Sequence, residues 1–202
     1  MLNQPILNGV VMLNISIDAS TTMIGYSIWD EDVLLEYGKL PPISPNTDWR
    51  NRIISLMEQL QEVIQGKNIV NMYIEDVPKK PNGGVSTAIK LGAVQGSLLC
   101  LCSANKINPV FIEVGRWRSD IGLFNGTRQG TQRENLKEAG IDKVNEMFDI
   151  GLKKVYTKNG VFKDSVSDDD IADSILIYAS TREKYQYKKP TVQFGRSRKV
   201  VG

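Results

Sequence analysis

The sequence predicts an α/β domain with a mixed five-stranded sheet flanked by helices. Three strand-like apolar segments open the chain, and short polar turns separate them, which indicates an antiparallel meander. After residue 46 strand-like segments alternate with stretches of helical periodicity. Strands that alternate with helices favour parallel pairing and layered α/β packing. A chain of 202 residues is long enough for one such domain.

The predicted strands are short runs rich in β-branched residues. The first ends at Asp18, and the polar turn Ala-Ser-Thr-Thr follows it. A loop with three prolines, at Pro41, Pro42 and Pro45, closes the meander. The predicted strand ranges are 10–17, 23–29, 33–40, 69–75 and 109–113.

The helical segments carry apolar residues at spacings of three and four. One runs from Thr47 to a stop at Gly66. The range 85–104 is apolar on most of its circumference, which predicts a buried helix. Gly92 and Gly96 lie one turn apart in it and would let a neighbouring backbone approach closely. Further helical segments are predicted at 116–121, at 131–148 and from Ser167 onward.

The composition excludes several kinds of active site, because the chain contains no histidine. Nucleophilic triads that use a histidine base are excluded, and so are zinc sites with imidazole ligands. Any catalysis must therefore use carboxylates, lysines, hydroxyls or a metal ion held by oxygen atoms.

Cys100 and Cys102 lie in the apolar run LLCLCS. Residues two apart rarely have the geometry of a disulfide, so both are predicted to be buried free thiols. The N-terminal segment has no signal-peptide pattern, and no apolar run approaches the roughly 18 residues of a membrane span. We therefore expect a cytoplasmic protein that does not enter a membrane.

The net charge of +2 combines two unlike parts. The range 182–202 has seven basic residues and one acidic residue, which gives it a charge of +6 and leaves −4 for the rest. This division predicts a globular domain at 1–181 and a basic, flexible tail at 182–202. An acidic body with a basic tail is compatible with a metal site and a nucleic-acid partner, although a solvated tail without a partner has the same composition.

Four carboxylates are candidates for a catalytic site. Asp18 ends the first predicted strand, Glu75 ends the fourth, and Asp170 and Asp173 share one face of the last helix. Asp18 and Glu75 would meet if their strands are parallel neighbours. Clustered carboxylates repel one another, and hard divalent cations such as Mg²⁺ or Mn²⁺ relieve that repulsion. Taken singly, each acid is also compatible with a turn, a solvated loop or an ordinary helix start.

The order of these motifs resembles the RuvC-type Holliday junction resolvases of the RNase H-like superfamily, over roughly residues 12–181. The segment ISIDASTTMIGYSIWD has the strand, Asp18, small turn and Gly25-Tyr26 of the family's first motif. MYIEDVPKK resembles the second motif, with Glu75, and AIKLGAVQGSLL the helix after it. DDDIADSILIYAS resembles the last motif, with Asp170 and Asp173. The segments EVGRWRSDIGL and TRQGTQRENLKEAGIDKV resemble phage members in particular.

The sequence departs from the family in its last motif and in the tail. Ser174-Ile175 stand where the family usually has small residues, and the histidine that some relatives carry there is absent. The basic tail has no counterpart in the family.

The resemblance implies an RNase H-like fold and a homodimeric endonuclease that cuts branched DNA, specifically four-way junctions, with two Mg²⁺ ions per site or Mn²⁺ in their place. Asp18 would bridge the ions, and Glu75 and Asp173 would each hold one side. Asp170 would support the ion that binds the attacking water. Asp169 is an alternative to Asp170 on the same helix face, and Asp168 is the least suited of the three.

Basic residues near these motifs are candidate DNA contacts. They are Lys79, Lys80, Arg116, Arg118, Arg128, Arg133 and Lys137. Each is equally compatible with a solvated surface cation. Trp117, between two arginines, is either a stacking platform for a base or a packing anchor.

Three other functions remain open. One is an RNase H-like nuclease for flap DNA or RNA–DNA hybrids. The second is a nucleotide-binding domain of the actin and sugar-kinase type, which also begins with a strand, an Asp and a small polar turn. The third is a catalytically silent module that binds branched DNA.

Overall fold

The computed structural model describes residues 11–77, 84–124 and 133–182. The strands are β1 (Leu13–Ala19), β2 (Ile24–Asp30), β3 (Val33–Leu40), β4 (Ile69–Glu75) and β5 (Asn108–Ile112). The helices are α1 (Trp49–Ile64), α2 (Gly84–Asn105), α3 (Val114–Asp120), α4 (Arg133–Phe148) and α5 (Asp169–Ala179), with a short 3₁₀ helix at Asp164–Val166. The predicted order of elements is confirmed, and Gly66 follows α1 in the left-handed conformation that ends a helix.

The five strands form one mixed sheet in the order β3-β2-β1-β4-β5. β1, β2 and β3 pair antiparallel, as the predicted meander requires. β4 lies parallel to β1 on one side and parallel to β5 on the other. The α/β class and the mixed five-stranded sheet are therefore confirmed.

Helices cover both faces of the sheet, and β1 shows how the sequence divides them. Ile15 and Ile17 are fully buried in the core beneath α1 and α2. The residues that alternate with them, Ser16 and Asp18, point to the other face, where α5 packs across β1 and β2. That second face carries a separate core with Trp29, Trp117 and most of α5.

Small residues on β1 and β2 let α5 approach the sheet closely. A Cβ atom placed on Gly25 would lie 1.9 Å from the carbonyl oxygen of Asp170, so this position tolerates no side chain. Two residues along, the Ser27 hydroxyl donates a hydrogen bond of 3.1 Å to the Ser174 carbonyl. Ser174 in turn is fully buried, so this departure from the family's small residues lies in the interface with the sheet.

The prediction that α2 is a buried helix is wrong. Among its residues only Val94, Leu98 and Cys102 are buried, because one stripe of the helix packs on the sheet and the rest faces outward. A Cβ atom placed on Gly92 or Gly96 would meet nothing within 4 Å, so among the described residues no neighbouring backbone packs on them. By length and composition alone, α2 is long and apolar enough to cross a membrane. This differs from the expectation that no apolar run approaches the length of a membrane span.

The orientation of α2 also explains why its two cysteines differ in exposure. Both thiols are free, as predicted, but Cys100 is exposed and only Cys102 is buried. The two side chains lie on different faces of the helix because they are two residues apart. The prediction of two buried thiols is therefore wrong for Cys100.

α5 begins at Asp169, two residues after the predicted start at Ser167. Asp168, not Ser167, occupies the cap position, and it makes no side-chain cap bond. The buried Ser167 hydroxyl instead binds the backbone of Lys163 and Val155. At the other end Arg182, which we counted with the tail, binds the carbonyl of Glu31 in the β2–β3 turn. The rest of the predicted tail lies outside the described residues.

Candidate active site

The parallel pairing of β1 and β4 brings the first two predicted acids together. Ile17 pairs with Ile74 in the register, and Asp18 and Glu75 each follow directly. Both strands alternate in the same phase, so the two carboxylates lie on the face covered by α5. They stand at the carboxyl ends of neighbouring parallel strands, where α/β proteins usually place their sites.

The first turns of α5 add Asp170 and Asp173 from above the sheet. Asp18 is the register partner of Gly25 on β2, and the Asp170 backbone packs directly on Gly25. The missing side chain of Gly25 therefore allows Asp170 to lie over Asp18. Asp173, one turn further along α5, is 4% exposed, whereas a quarter of the Asp170 side chain is exposed.

The four carboxylates interact strongly. Burial raises the pKa of Asp18 well above its ordinary value, and Glu75, Asp173 and Asp170 raise it further. Burial, together with Asp169, raises the pKa of Asp170 to about 6. Burial also raises the pKa of Asp173 to about 7, although Arg118 opposes the shift. The raised pKa values show that the cluster disfavours its own negative charge.

Asp169 and Asp168 are held by other partners. The Asp169 side chain is fully buried and binds the ammonium group of Lys137. Asp168 accepts a hydrogen bond of 2.9 Å from Lys39 of β3. It also accepts one of 2.9 Å from the backbone N–H of Lys153. Asp169 is therefore held in a close ion pair with Lys137, whose ammonium group lies 4.0 Å from Oδ1 of Asp170. Of the three acids Asp168, Asp169 and Asp170, it is Asp170 that raises the pKa of Asp18.

α3 contacts the cluster from the side through two adjacent residues. The indole N–H of Trp117 donates a hydrogen bond of 3.0 Å to Oε2 of Glu75. The guanidinium group of Arg118 lies 3.8 Å from Oδ2 of Asp173 and 5.0 Å from the Trp117 ring centroid. Trp117 is fully buried, so it acts as a packing anchor whose polar end reaches the site.

The donor chemistry of the cluster fits hard divalent cations. Carboxylate oxygens are the ligands that Mg²⁺ and Mn²⁺ prefer, and a bound cation would relieve the repulsion that raises the pKa values. Within the described part of the chain, no three acidic side chains are grouped tightly enough to enclose one ion as they stand. Lys137 holds Asp169 and Arg118 lies beside Asp173, so ion binding would require side chains on the α5 side of the site to rearrange.

The predicted DNA contacts fall into three groups. Arg116 is largely exposed and lies 3.6 Å from Asp120 in an open ion pair. Arg118 is 19% exposed and faces the acids, and Lys137 is buried among carboxylates away from the surface. Lys79, Lys80 and Arg128 lie outside the described residues, and Arg133 is the first residue of α4.

Two contacts of the candidate site, those of Lys137 and Trp117, were not predicted from the sequence. The sequence does contain a signal for the first of them. Lys137 precedes Ile141, Val144 and Phe148 at helical spacing, and those three residues are buried. A lysine in an apolar stripe indicates a buried ion pair rather than a surface contact. The bond from Trp117 to Glu75 joins residues 42 apart, and no local pattern predicts it.

No protein-family model and no curated protein matches this chain. Its fold is similar to that of Thermus thermophilus RuvC in complex with Holliday junction substrate, at 14% identity and a TM-score of 0.58, covering 84% of this chain and 91% of that one. A second Thermus thermophilus RuvC structure matches at 16% identity and a TM-score of 0.55, covering 84% of this chain and 96% of that one. The chain therefore has the RuvC-type, RNase H-like fold that its motifs predicted.

Proposed function

We propose that this protein is a structure-selective endonuclease that cleaves four-way DNA junctions by metal-assisted hydrolysis of phosphodiester bonds. The convergence of Asp18, Glu75, Asp170 and Asp173 at one end of the sheet carries the proposal. A carboxylate cluster without histidine suits two-ion phosphodiester chemistry. The relative solved with a Holliday junction substrate has the same fold, which supports branched DNA as the substrate class.

In this proposal Asp18, Glu75, Asp170 and Asp173 hold two Mg²⁺ ions, or Mn²⁺ in their place. When bound, the ions would make the attacking water more acidic and stabilise the leaving oxygen. The contacts of Asp169 with Lys137 favour Asp170 as the ligand from the first turn of α5. Arg118, which lies 3.8 Å from Oδ2 of Asp173, would contact the phosphate that enters the site.

The DNA would approach across the surface around the acids. Arg116 is exposed, and its only described ion pair, with Asp120, is solvated and therefore weak, so its guanidinium group is available to a phosphate. Lys79, Lys80, Arg128 and Arg133 remain predicted phosphate contacts. Lys137 is left out of this set because it is buried. The tail would add a further basic surface.

The outward face of α2 supports the homodimer that cleavage of two opposed strands requires. Val85 and Ile89 are 76% and 59% exposed, and Leu99 continues the same stripe at helical spacing. Gly92 and Gly96 lie on this stripe with open space above them, which would let a second α2 pack closely. An exposed apolar stripe of this length on a globular domain indicates an interface.

The function is tested by incubating the protein and Mg²⁺ with labelled four-way junctions, flaps, linear duplexes and RNA–DNA hybrids. We expect paired nicks on opposed strands of the junction and none in linear duplex. Asp18→Asn and Glu75→Gln should abolish cleavage while junction binding persists, because the fold and the outer basic residues are unchanged. Full cleavage by Asp18→Asn would overturn the assignment of the site.

The alternatives correspond to other outcomes of the same panel. Cleavage confined to flaps or hybrids would indicate another RNase H-like nuclease, and junction binding without cleavage a silent module. Stabilisation by ATP would indicate the nucleotide-binding alternative. Against that alternative, the Ser20 hydroxyl already accepts hydrogen bonds from the backbone N–H groups of Thr22 and Met23 in its own turn.

The dimer is tested by sedimentation of Ile89→Glu and of Val161→Glu as a matched control. Val161 is also 59% exposed but lies between α4 and α5, away from α2. We expect Ile89→Glu to sediment as a monomer and to lose paired cleavage, and Val161→Glu to behave as the wild type. A wild-type monomer would contradict the proposed interface.

A further inference from the structure

We propose that Trp117 is a positioning residue that orients the Glu75 carboxylate for metal binding through its indole N–H. The inference rests on the proposed function, since it takes Glu75 as a metal ligand. The observation is the hydrogen bond of 3.0 Å from Nε1 of Trp117 to Oε2 of Glu75.

Trp117 is held rigidly enough for this role. Its side chain is fully buried in the core on the α5 face of the sheet. Its backbone N–H donates to the Glu113 carbonyl at 3.1 Å, and its carbonyl accepts from Ile121 at 3.0 Å. The indole therefore cannot follow Glu75 if that side chain rotates. A fixed donor restricts the carboxylate to orientations in which Oε2 meets the indole.

An indole N–H is well suited to orient a carboxylate that must also bind a cation. The indole N–H is a donor only and stays neutral at every pH of interest. Its hydrogen bond is made to Oε2 of the carboxylate. Arg118, the neighbouring contact to Asp173, brings a positive charge that opposes a bound cation. Trp117 orients its carboxylate without that opposition.

A second tryptophan shows what a purely structural indole looks like in this protein. Trp29 is also fully buried, and its Nε1 donates a hydrogen bond of 2.9 Å to the Ser27 hydroxyl. That acceptor lies between β2 and α5 and is not one of the four acids. Both buried indole N–H groups donate a hydrogen bond, as buried indoles usually do. Only the N–H of Trp117 donates to a candidate metal ligand.

The test compares Trp117→Phe with Trp29→Phe, each of which removes one buried indole N–H and keeps an aromatic ring. Binding of Mn²⁺ to the metal-free proteins is measured by calorimetry, and thermal unfolding is measured alongside. We expect Trp117→Phe to weaken Mn²⁺ binding about tenfold, as losing a partner of a metal ligand usually does. Trp29→Phe should keep wild-type affinity even if its unfolding temperature falls.

A second measurement uses the unmodified protein. The indole ¹H–¹⁵N signal of Trp117 should shift when Mg²⁺ is added, and the signals of Trp29 and Trp49 should not. Equal Mn²⁺ affinity of Trp117→Phe and wild type, or an indole signal of Trp117 that ignores Mg²⁺ while Asp18 responds, would overturn the positioning role. If the wild type binds Mn²⁺ but cleaves no branched DNA, the proposed function fails while both comparisons still decide the role of Trp117.

Discussion

Lys137 of α4 and Asp169 of α5 form a buried ion pair next to Asp170 of the candidate site. Lys137 is 8% exposed and Asp169 is fully buried. Burial would lower the pKa of Lys137, but the hydrogen bond that it donates to Asp169 and the nearby carboxylates together raise it. The ammonium group therefore stays charged and offsets part of the negative charge that the site carries without metal.

Breaking this pair should destabilise the fold. Lys137→Met leaves the Asp169 carboxylate buried without its cation, and we expect a loss of about 3 kcal/mol in the free energy of unfolding. Urea denaturation in EDTA measures it. The double variant Lys137→Met/Asp169→Asn should lose less than the sum of the two single variants, because neither partner is left charged alone. Additive losses would contradict direct pairing.

The two adjacent aspartates should separate into different roles. Asp170→Asn removes a carboxylate that interacts with Asp18 and is a quarter exposed, so we expect cleavage to fall at least a hundredfold with little change in stability. Asp169→Asn should lower the unfolding temperature and keep much of the activity. Nicking rates and thermal unfolding of both variants check this. The reverse pattern would make Asp169 the ligand.

The raised pKa values predict how the metal-free protein depends on pH. The folded state raises the pKa of Asp173 from 3.8 to about 7 and that of Asp170 to about 6, so it binds protons more tightly than the unfolded state. The free energy of unfolding in EDTA should therefore fall as pH rises from about 4 to about 7. Asp173→Asn should flatten this dependence and be more stable than the wild type at pH 8. A rise in stability over this range would contradict the pKa directions.

The sequence alone predicts the strands and the proximity of Asp18 and Glu75, because both depend on local patterns. Alternation and turn residues define β1 to β4 closely, and parallel pairing then places Asp18 beside Glu75. The sequence does not predict contacts between segments that are far apart in the chain. The apolar composition of α2 did not indicate which face packs on the sheet, and the bond from Trp117 to Glu75 depends on how α3 lies against β4.

Gly25 connects fold and site, and replacing it should affect both. A methyl group there would meet the Asp170 carbonyl at 1.9 Å, so Gly25→Ala must push α5 away from β2. We expect lower thermal stability and a loss of cleavage larger than the loss of junction binding. Gly151→Ala, which adds the same methyl into open space after α4, is the control for stability. Wild-type cleavage by Gly25→Ala would show that α5 can shift without disturbing Asp170.

The basic tail should contribute electrostatic binding to DNA, and Arg182 sets where to truncate it. Arg182 contacts the β2–β3 turn, so removal of 183–202 keeps the folded body while deleting six basic residues and one acidic residue. We expect truncation to weaken junction binding. The slope of log Kd against log salt concentration should also become shallower, by about one for each phosphate that the tail neutralises in the full chain. Titrations at several salt concentrations measure both quantities. Replacing the six basic residues with Gln in the full chain should reproduce the change, because charge rather than length causes it. Unchanged binding and slope after truncation would make the tail a bystander.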